Sequence, residues 1–421
     1  MDSAKLLLVQ WAGESVGHLA PHRKGRVKFS YTPEWIEKGR QAISLSLPCN
    51  ERSFDAQKST AFFGNLLPEE NIHQELCRAA HIDPNDSYSF LRRFGQECAG
   101  ALVIIPEGEE SAPHAPAYRD ISDELESILN RHKGMPIANL IAKTGGRLSI
   151  AGAQNKLPVN MENGRFFIPA DASCAPTTAI LKPTNHFFPD LHRNELFCME
   201  LARSAGLNTP KASLIQIGEQ QVYMVMRYDR RQTEAGIIRL HQEDFCQALG
   251  VSHAQKYEEH GGPGFAACSK LLLHPLVSEY HTARENFIKC ALFNYVIGNC
   301  DAHAKNFSLL YHENREIHLA PFYDLLSTMA YPELNQKFAM AIGRTFRFDR
   351  IAEHSWKEFA AAMKLRPERI FALAAELCAS VAPALEPLAT EHEKRYGAAP
   401  IYETLVRLTK KGLEQVAHKL A

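Results

Sequence analysis

The sequence predicts an α+β protein of two lobes, in which a β-rich first half precedes a helical second half. Short apolar runs that end at Gly or Pro dominate up to Arg230, which is typical of strands. From about residue 241 onward, apolar residues recur mainly at helical spacing. We therefore predict three consecutive units: a small α+β unit at 1–108, a β-rich lobe at 121–230 and a helical lobe at 231–421.

The composition is that of an ordinary globular protein. Of 421 residues, 45% are hydrophobic and 23% are charged, and the net charge of -1 gives no overall preference for nucleic acids or membrane surfaces. The ten cysteines form no C-x-x-C pair and offer no zinc-ligand spacing, so we predict reduced thiols in a cytoplasmic protein. We see no apolar run approaching 18 residues, and residues 6–9 are too short for a secretory signal, so we predict no membrane association.

The elements follow from periodicity and from breaker residues. In the first unit we predict strands at 5–11, 15–19, 27–31, 42–47 and 101–106, and helices within 60–77 and at 87–94. In the second we predict a helix at 123–131, a strand at 179–182, a helix at 194–205 and a strand at 221–230. In the third we predict helices at 241–249, 264–273 and 285–297, strand-like pieces at 307–311 and 316–320, and a helical tail at 356–421 interrupted at Pro367, Pro383, Pro387 and Pro400.

A polar loop at 298–306 lies between a predicted buried helix and a strand. Its Asp301 and Asn306 have the D-x-x-x-x-N offset of the catalytic loop of protein kinases, in which the Asp accepts the substrate hydroxyl proton and the Asn holds magnesium. Asp324 follows the piece at 316–320, where a kinase has its metal-binding Asp. The same residues are also typical of an Asx turn and a helix cap.

Three earlier features fit the same chemistry. Small residues at 151–153 let a backbone approach phosphate oxygens, although a plain hairpin turn has the same composition. Lys182 ends a strand and Glu195 lies in the first turn of the next helix, as in the Lys–Glu ion pair of kinases. The strand at 221–230 stands where a hinge would bind adenine through its backbone. Because all these features occur in the order that a kinase requires, the residues favour a kinase-like phosphotransferase.

Longer motifs resemble those of the HipA family, serine/threonine kinase toxins of bacterial type II toxin–antitoxin modules. The motifs are S-I-A-G-A-Q-N-K at 149–156, L-H-Q-E-D-F-C-Q-A-L-G at 240–250, K-Y-E at 256–258 with G-G-P-G at 261–264, D-A-H-A-K-N-F-S at 301–308 and P-F-Y-D at 321–324. The N-terminal stretch is similar as well, so the resemblance extends over essentially the whole chain and implies a two-lobed, protein-kinase-like fold. The chain departs from the family pattern at Asn155, where Glu is usual, and at Ala302, where Gly is usual.

The resemblance implies an ATP- and Mg²⁺-dependent protein kinase. It implies Asp301 as the base, Lys182 with Glu195 as the phosphate-holding pair, Asn306 and Asp324 as metal ligands, and Ser149 as a site of inactivating autophosphorylation. The residues that it implies around ATP are Ala151, Gly152, Ala153, Gln154, Asn155, Lys156, Lys182, Met226, Arg227, Tyr228, His303, Asn306, Tyr323 and Asp324.

The resemblance also implies partners. These are a translation-related protein substrate such as an aminoacyl-tRNA synthetase, with growth arrest or persistence as the outcome, and a HipB-like helix-turn-helix antitoxin. We see no helix-turn-helix pattern or basic stripe, so DNA contact is expected only through that antitoxin. A small-molecule phosphotransferase and a catalytically silent, partner-binding kinase fold remain alternatives.

Overall fold

The computed structural model describes residues 6–108, 117–130, 156–170, 173–184, 187–312 and 314–420. Within these residues the chain has the predicted α+β architecture, with helices and strands in nearly equal measure up to Met226 and a mainly helical second half.

The first unit is an antiparallel four-stranded sheet of order β3-β2-β1-β4 with four short helices. Its elements are β1 (Leu7–Trp11), β2 (Glu14–Pro21), β3 (Val27–Tyr31), α1 (Pro33–Glu37), α2 (Ala56–Gly64), α3 (Glu70–Ala80), α4 (Ser87–Phe94) and β4 (Leu102–Pro106). Helix α4 has the predicted bounds because Asp86 caps it, accepting a hydrogen bond of 3.1 Å from the Ser89 N–H.

The strand predicted at 42–47 is wrong. This segment is a turn with a single bridge between Ser44 and Leu47. The Ser44 hydroxyl donates to a Glu243 carboxylate oxygen at 2.5 Å, and the Ser46 hydroxyl donates to the Gln247 carbonyl at 2.7 Å. The alternation of the segment therefore reflects packing against the helical lobe rather than pairing in a sheet.

The second unit is an antiparallel six-stranded sheet of order β5-β7-β6-β8-β10-β9. Its elements are β5 (Tyr118–Asp120), α5 (Leu125–Asn130), β6 (Leu157–Glu162), β7 (Arg165–Pro169), β8 (Ala179–Lys182), α6 (Leu191–Ser204), β9 (Ala212–Ile217) and β10 (Gln220–Met226). Buried side chains of this sheet, including Leu157, Leu181 and Val222, belong to the same hydrophobic cluster as the core of the first unit. The first and second units thus share one core.

The third unit carries the longer helices and several short strands. Its strands are β11 (Arg230–Thr233), β12 (Gly236–Arg239), β13 (His241–Asp244), β14 (Ser308–Tyr311), β15 (Ile317–Leu319), β16 (Lys337–Ile342) and β17 (Thr345–Arg347). Its helices are α7 (Phe245–Ala248), α8 (Phe265–Leu271), α9 (Tyr280–Ile297), α10 (Glu353–Ala362), α11 (Pro367–Tyr396) and α12 (Pro400–Leu420).

The helix predicted at 241–249 is wrong in its first half. Residues 241–244 form β13, which pairs antiparallel with β14, and helix α7 starts only after Asp244. Asp244 and Gln247 form a capping box there, with mutual hydrogen bonds of 2.8 and 2.9 Å. A pairing partner about 65 residues away in the chain overrides the local helical pattern.

Helix α11 does not break at Pro383 or Pro387, contrary to the predicted interruptions. It packs against α6, α9 and α12, and its Ile370, Leu377 and Leu385 are buried. This tertiary packing offsets the backbone hydrogen bonds that proline removes. By length and composition α11 is apolar enough to cross a membrane; a third of its apolar window is buried, and those buried residues belong to the main hydrophobic cluster of the lobe.

Candidate active site

The predicted catalytic loop is held by the amide of Asn299. Its Oδ1 accepts a hydrogen bond of 3.1 Å from the Asp301 N–H, and its Nδ2 donates to Asn294 Oδ1 at 2.9 Å and to the Asp324 carbonyl at 3.3 Å. Helix α9 ends at Gly298 with φ of 70°, where an added Cβ would lie 2.9 Å from Met329 Sδ. The Asn299 amide thereby links the predicted catalytic loop to the segment that carries Asp324.

Lys182 at the end of β8 is buried between two carboxylates. Its Nζ lies 2.7 Å from Glu195 Oε1 on α6 and 2.6 Å from Asp324 Oδ1. Burial alone would lower the pKa of Lys182, but the two carboxylates outweigh burial and raise it above its usual value. Burial likewise favours a neutral Asp324, yet Lys182 and Lys156 hold its pKa well below the usual range. The site therefore contains a cation and an ionised carboxylate, both stabilised by pairing.

Asn306 and Asp324 offer oxygen atoms of the kind that Mg²⁺ prefers. Asn306 Nδ2 donates to the Asp301 carbonyl at 3.1 Å, so its amide oxygen is directed elsewhere, and both side chains line one cavity. Asp324 has a φ of 53°, a left-handed conformation that is uncommon outside glycine and often marks functional sites. Among the described residues there is no cluster of three or more His, Cys, Asp or Glu able to hold a metal unaided. Two protein ligands fit magnesium that is completed by phosphate oxygens and water.

A cavity of about 130 Å³ lies between the β-rich and helical lobes. Its lining includes most of the described residues expected around ATP: Lys156, Lys182, Met226, Arg227, Tyr228, Asn306, Tyr323 and Asp324. Glu195 lines it as well. The structure therefore brings together residues that are up to about 170 positions apart in the chain.

The expected hinge differs in detail from the prediction. The N–H groups of Met226 and Arg227 donate to the carbonyls of Lys211 and Thr178, each at 2.8 Å, and so are already used. Tyr228 stacks on Tyr323 with ring centroids 5.8 Å apart. Backbone recognition of a base at this hinge would therefore use groups other than the N–H of Met226 and of Arg227.

The side chain of Arg227 serves a buried ion network instead. It lies 2.9 Å from Glu97 and 2.7 Å from Asp229, and Arg230 lies 3.0 Å from Glu97. Arg239 also pairs with Glu97. Burial would raise the pKa of Glu97, but the three arginines lower it to about 2. The network fixes the first unit to the hinge.

The first unit also forms part of the cavity wall, which the sequence analysis missed. Asn65, Leu66 and Glu69 line the cavity. Lys305 of the catalytic loop donates to the Asn65 carbonyl at 3.1 Å, and Lys256 forms a buried pair with Glu69. These contacts join residues about 190 and 240 positions apart, so a local sequence pattern does not indicate them. The only sequence signal for this wall was the presence of charged residues within apolar stretches.

Asp301 does not line this cavity. It lines a second cavity, and its Oδ1 accepts a hydrogen bond of 2.7 Å from the Tyr257 hydroxyl. His303 is buried, 3% exposed, with Nε2 4.0 Å from Asp301 Oδ1, and it is not among the residues that line either cavity. Burial lowers the pKa of His303. The expected role of His303 at ATP therefore stays a prediction, as do those of Ser149 and residues 151–155, which lie outside the described residues.

Comparisons with known proteins agree with this architecture. Residues 7–105 match the family model "HipA N-terminal domain", and residues 148–385 match "HipA-like C-terminal domain". The Sinorhizobium fredii protein Y4mE, which is named as a kinase, is 37% identical over 85% of this chain and 86% of its own length. The serine/threonine-protein kinase toxin HipA of Shewanella oneidensis is 30% identical over 75% of this chain and 73% of its own.

Among solved structures, the complex of Shewanella oneidensis HipA with HipB and operator DNA contains a chain of the same fold. It superimposes with a TM-score of 0.83 at 23% identity, over 98% of this chain and 97% of that one. Two family models together span most of the sequence, and the relatives are named as kinases. The chain therefore belongs to the HipA family of protein kinases.

Proposed function

We propose that this kinase transfers the γ-phosphate of ATP, with Mg²⁺, to a serine or threonine of a protein and acts as the toxin of a toxin–antitoxin pair. The observation that carries the proposal is the pairing of Lys182 with both Glu195 and Asp324 inside the cavity. Burying such a cation between two acids costs desolvation free energy. A role in binding phosphate oxygens accounts for a buried cation at this position.

Each residue has a defined task in this proposal. Lys182 holds phosphate oxygens, and Glu195 keeps the Lys182 ammonium in place. Asp324 and Asn306 would hold magnesium, which supplies charge neutralisation for the phosphates. Asp301, held by a hydrogen bond from the Tyr257 hydroxyl, accepts the proton of the acceptor hydroxyl. Phosphoryl transfer depends mainly on positioning and electrostatics, which this set provides.

The finer features of the proposal rest on the family. The protein substrate is a translation-related protein such as an aminoacyl-tRNA synthetase, and its phosphorylation arrests growth. A HipB-like antitoxin, through which DNA is contacted indirectly, is the inhibitory partner; the solved complex of HipA, HipB and operator DNA supports this assignment. Phosphorylation of Ser149 would add about -1.5 to -2 charges beside the expected phosphate loop and so inactivate the kinase in the cytoplasm.

Phosphoproteomics after expression of the wild type and of Asp301→Ala tests the proposal. We expect one or a few proteins to gain phosphoserine or phosphothreonine with the wild type only, together with growth arrest. Equal phosphorylation by Asp301→Ala would contradict the assigned base. Phosphate on a small metabolite, with no protein labelled, would contradict the protein acceptor. Absence of phosphate from Ser149 in active enzyme would contradict self-inactivation at that residue.

A further inference from the structure

A second cavity, of about 330 Å³, is lined in part by the catalytic loop. Asp301 lines this second cavity and Asn306 lines the first, and the two residues are joined by the 3.1 Å hydrogen bond from Asn306 Nδ2 to the Asp301 carbonyl. Residues of the same loop therefore line both cavities. A group bound in the second cavity would approach the expected base directly.

The two carboxylate oxygens of Asp301 differ in their surroundings. Oδ1 accepts from the Tyr257 hydroxyl at 2.7 Å and lies 4.0 Å from His303 Nε2. Among the described residues we find no hydrogen bond to Oδ2, and the side chain is 48% exposed. Tyr257 thus restrains the rotation of the carboxylate, and among the described residues Oδ2 is left without a hydrogen-bond partner.

Tyr257 is itself held firmly. Its neighbour Lys256 forms the buried pair with Glu69, and the Lys256 ammonium lies 5.1 Å from the Tyr257 ring centroid. Glu258, on the other side, accepts a hydrogen bond of 2.6 Å from the Ala341 N–H of β16. The rings of Tyr257 and His303 also pack nearly at right angles, with centroids 5.3 Å apart. Because both neighbours of Tyr257 in the chain are held by these contacts, the Tyr257 hydroxyl can orient the Asp301 carboxylate with little loss of conformational entropy.

The lining of the second cavity indicates the kind of molecule that fits. Leu334, Phe338 and Ala339 supply apolar surface, and Asn335 and His260 supply polar groups. The acid Glu259 and the base Lys337 pair with each other at 2.6 Å, so their charges largely cancel. The other carboxylate of the lining, Asp301, has no Lys or Arg partner among the described residues, and its Oδ1 lies 4.0 Å from His303 Nε2. This chemistry suits an extended peptide segment of low charge and disfavours a small polycation, which would need several unpaired acids.

We propose that the second cavity is the acceptor site, which takes a serine or threonine with an apolar neighbour in an extended segment, and that Tyr257 is the positioning residue for Asp301. The inference rests on the kinase activity proposed above. In the transfer step the acceptor hydroxyl oxygen forms a bond to the γ-phosphorus, and the bond from that phosphorus to the bridging oxygen of ADP breaks. The electron pair leaves with ADP, and the hydroxyl proton passes to Asp301 Oδ2.

The test compares three variants in phosphate transfer to a positional-scanning library of serine peptides. Tyr257→Phe removes only the oxygen that binds Asp301, so we expect kcat to fall about 10- to 100-fold with KM for ATP unchanged. Asn335→Trp narrows the second cavity, so we expect KM for the best peptide to rise at least about 10-fold with nucleotide affinity unchanged. Glu333→Trp is the matched control, since Glu333 is exposed in the same loop but is not among the cavity residues, and we expect wild-type values.

The outcomes separate this inference from the proposed function. A wild type that fails to bind a non-hydrolysable ATP analogue would overturn the proposed function itself. A wild type that binds the analogue but labels no peptide, or an Asn335→Trp variant with unchanged peptide KM, would overturn the acceptor site. A Tyr257→Phe variant that loses thermal stability but keeps kcat would overturn the positioning role.

Discussion

On the nucleotide side of the catalytic loop, Lys182 is buried between two carboxylates, whereas on the acceptor side Asp301 is about half exposed and held by a neutral hydroxyl. Charges that leave water need partners, so the nucleotide side is built from ion pairs that also hold the lobes together. Asp301, the proposed base, must stay accessible to the acceptor hydroxyl, so its partner needs only to orient the carboxylate. Catalysis and stability are therefore coupled on the nucleotide side of the loop and separable on the acceptor side.

Lys182→Met should have the largest effect. It leaves Glu195 and Asp324 near each other in a buried site without their shared cation, so we expect loss of phosphate transfer and a fall in the free energy of unfolding of about 3–5 kcal/mol. Urea denaturation and a transfer assay measure both. Lys394→Met, an exposed lysine on α11, serves as the control and should change neither. If Lys182→Met kept the wild-type free energy of unfolding, catalysis and stability would not be coupled on the nucleotide side of the loop.

Asp301→Asn should remove activity without the cost in stability. The amide keeps the shape of the side chain but cannot take up the acceptor proton, so we expect the transfer rate to fall about 10²- to 10⁴-fold. The free energy of unfolding should change by less than about 0.5 kcal/mol, because the side chain is half exposed. The same two assays apply, and marked destabilisation would show that the acceptor side is not separable.

Asp324→Asn should weaken nucleotide binding only when magnesium is present. Lys182 keeps Glu195 as its partner, but the amide is a poorer magnesium ligand than the carboxylate. We expect the affinity for a non-hydrolysable ATP analogue to fall at least about tenfold with Mg²⁺. Calorimetric titration with and without Mg²⁺ measures this. An equal fall in both conditions would argue against metal binding by Asp324.

Glu243 extends the comparison to a buried carboxylate without a cation. It accepts hydrogen bonds from Ser44, Leu45 and Tyr311, yet burial dominates and raises its pKa from 4.5 to about 7, whereas three arginines lower that of Glu97 to about 2. A raised carboxyl pKa means that the folded state binds the proton more tightly. The stability from this group is therefore complete below pH 4.5 and is lost as the pH rises to about 7.

The measurement is the free energy of unfolding as a function of pH for the wild type and Glu243→Gln. Relative to the variant, the wild type should lose up to about 3 kcal/mol between pH 4.5 and 7 and then level off. A constant difference between the two proteins over that range would contradict the raised pKa of Glu243.

Features set by neighbouring residues were predictable from the sequence. The bounds of α4 follow from the Asp86 cap, and the Lys182–Glu195 pair follows from a strand end and the helix after it. The predictions at 42–47 and 241–244 were wrong because residues remote in sequence decide the conformation of both segments.

Tyr257, which is part of the K-Y-E motif, was assigned no role from the sequence, and Asn65 was not singled out at all; their partners Asp301 and Lys305 lie 44 and 240 positions away. Nothing in a local pattern indicates such pairs. The position of Asp301 on a separate cavity from Asn306, five residues away, likewise depends on how the loop is folded and not on its spacing.

The central claim is tested most directly by phosphate transfer from radiolabelled ATP and Mg²⁺, measured for the wild type and Asp301→Asn at matched occupancy of the nucleotide cavity. Occupancy is set from the calorimetric affinity of each protein for the non-hydrolysable analogue. We predict similar affinities and a transfer rate at least about 100-fold lower in the variant, since the base lies outside the nucleotide cavity. Equal transfer rates at equal occupancy, or no binding of the analogue by the wild type, would contradict the account.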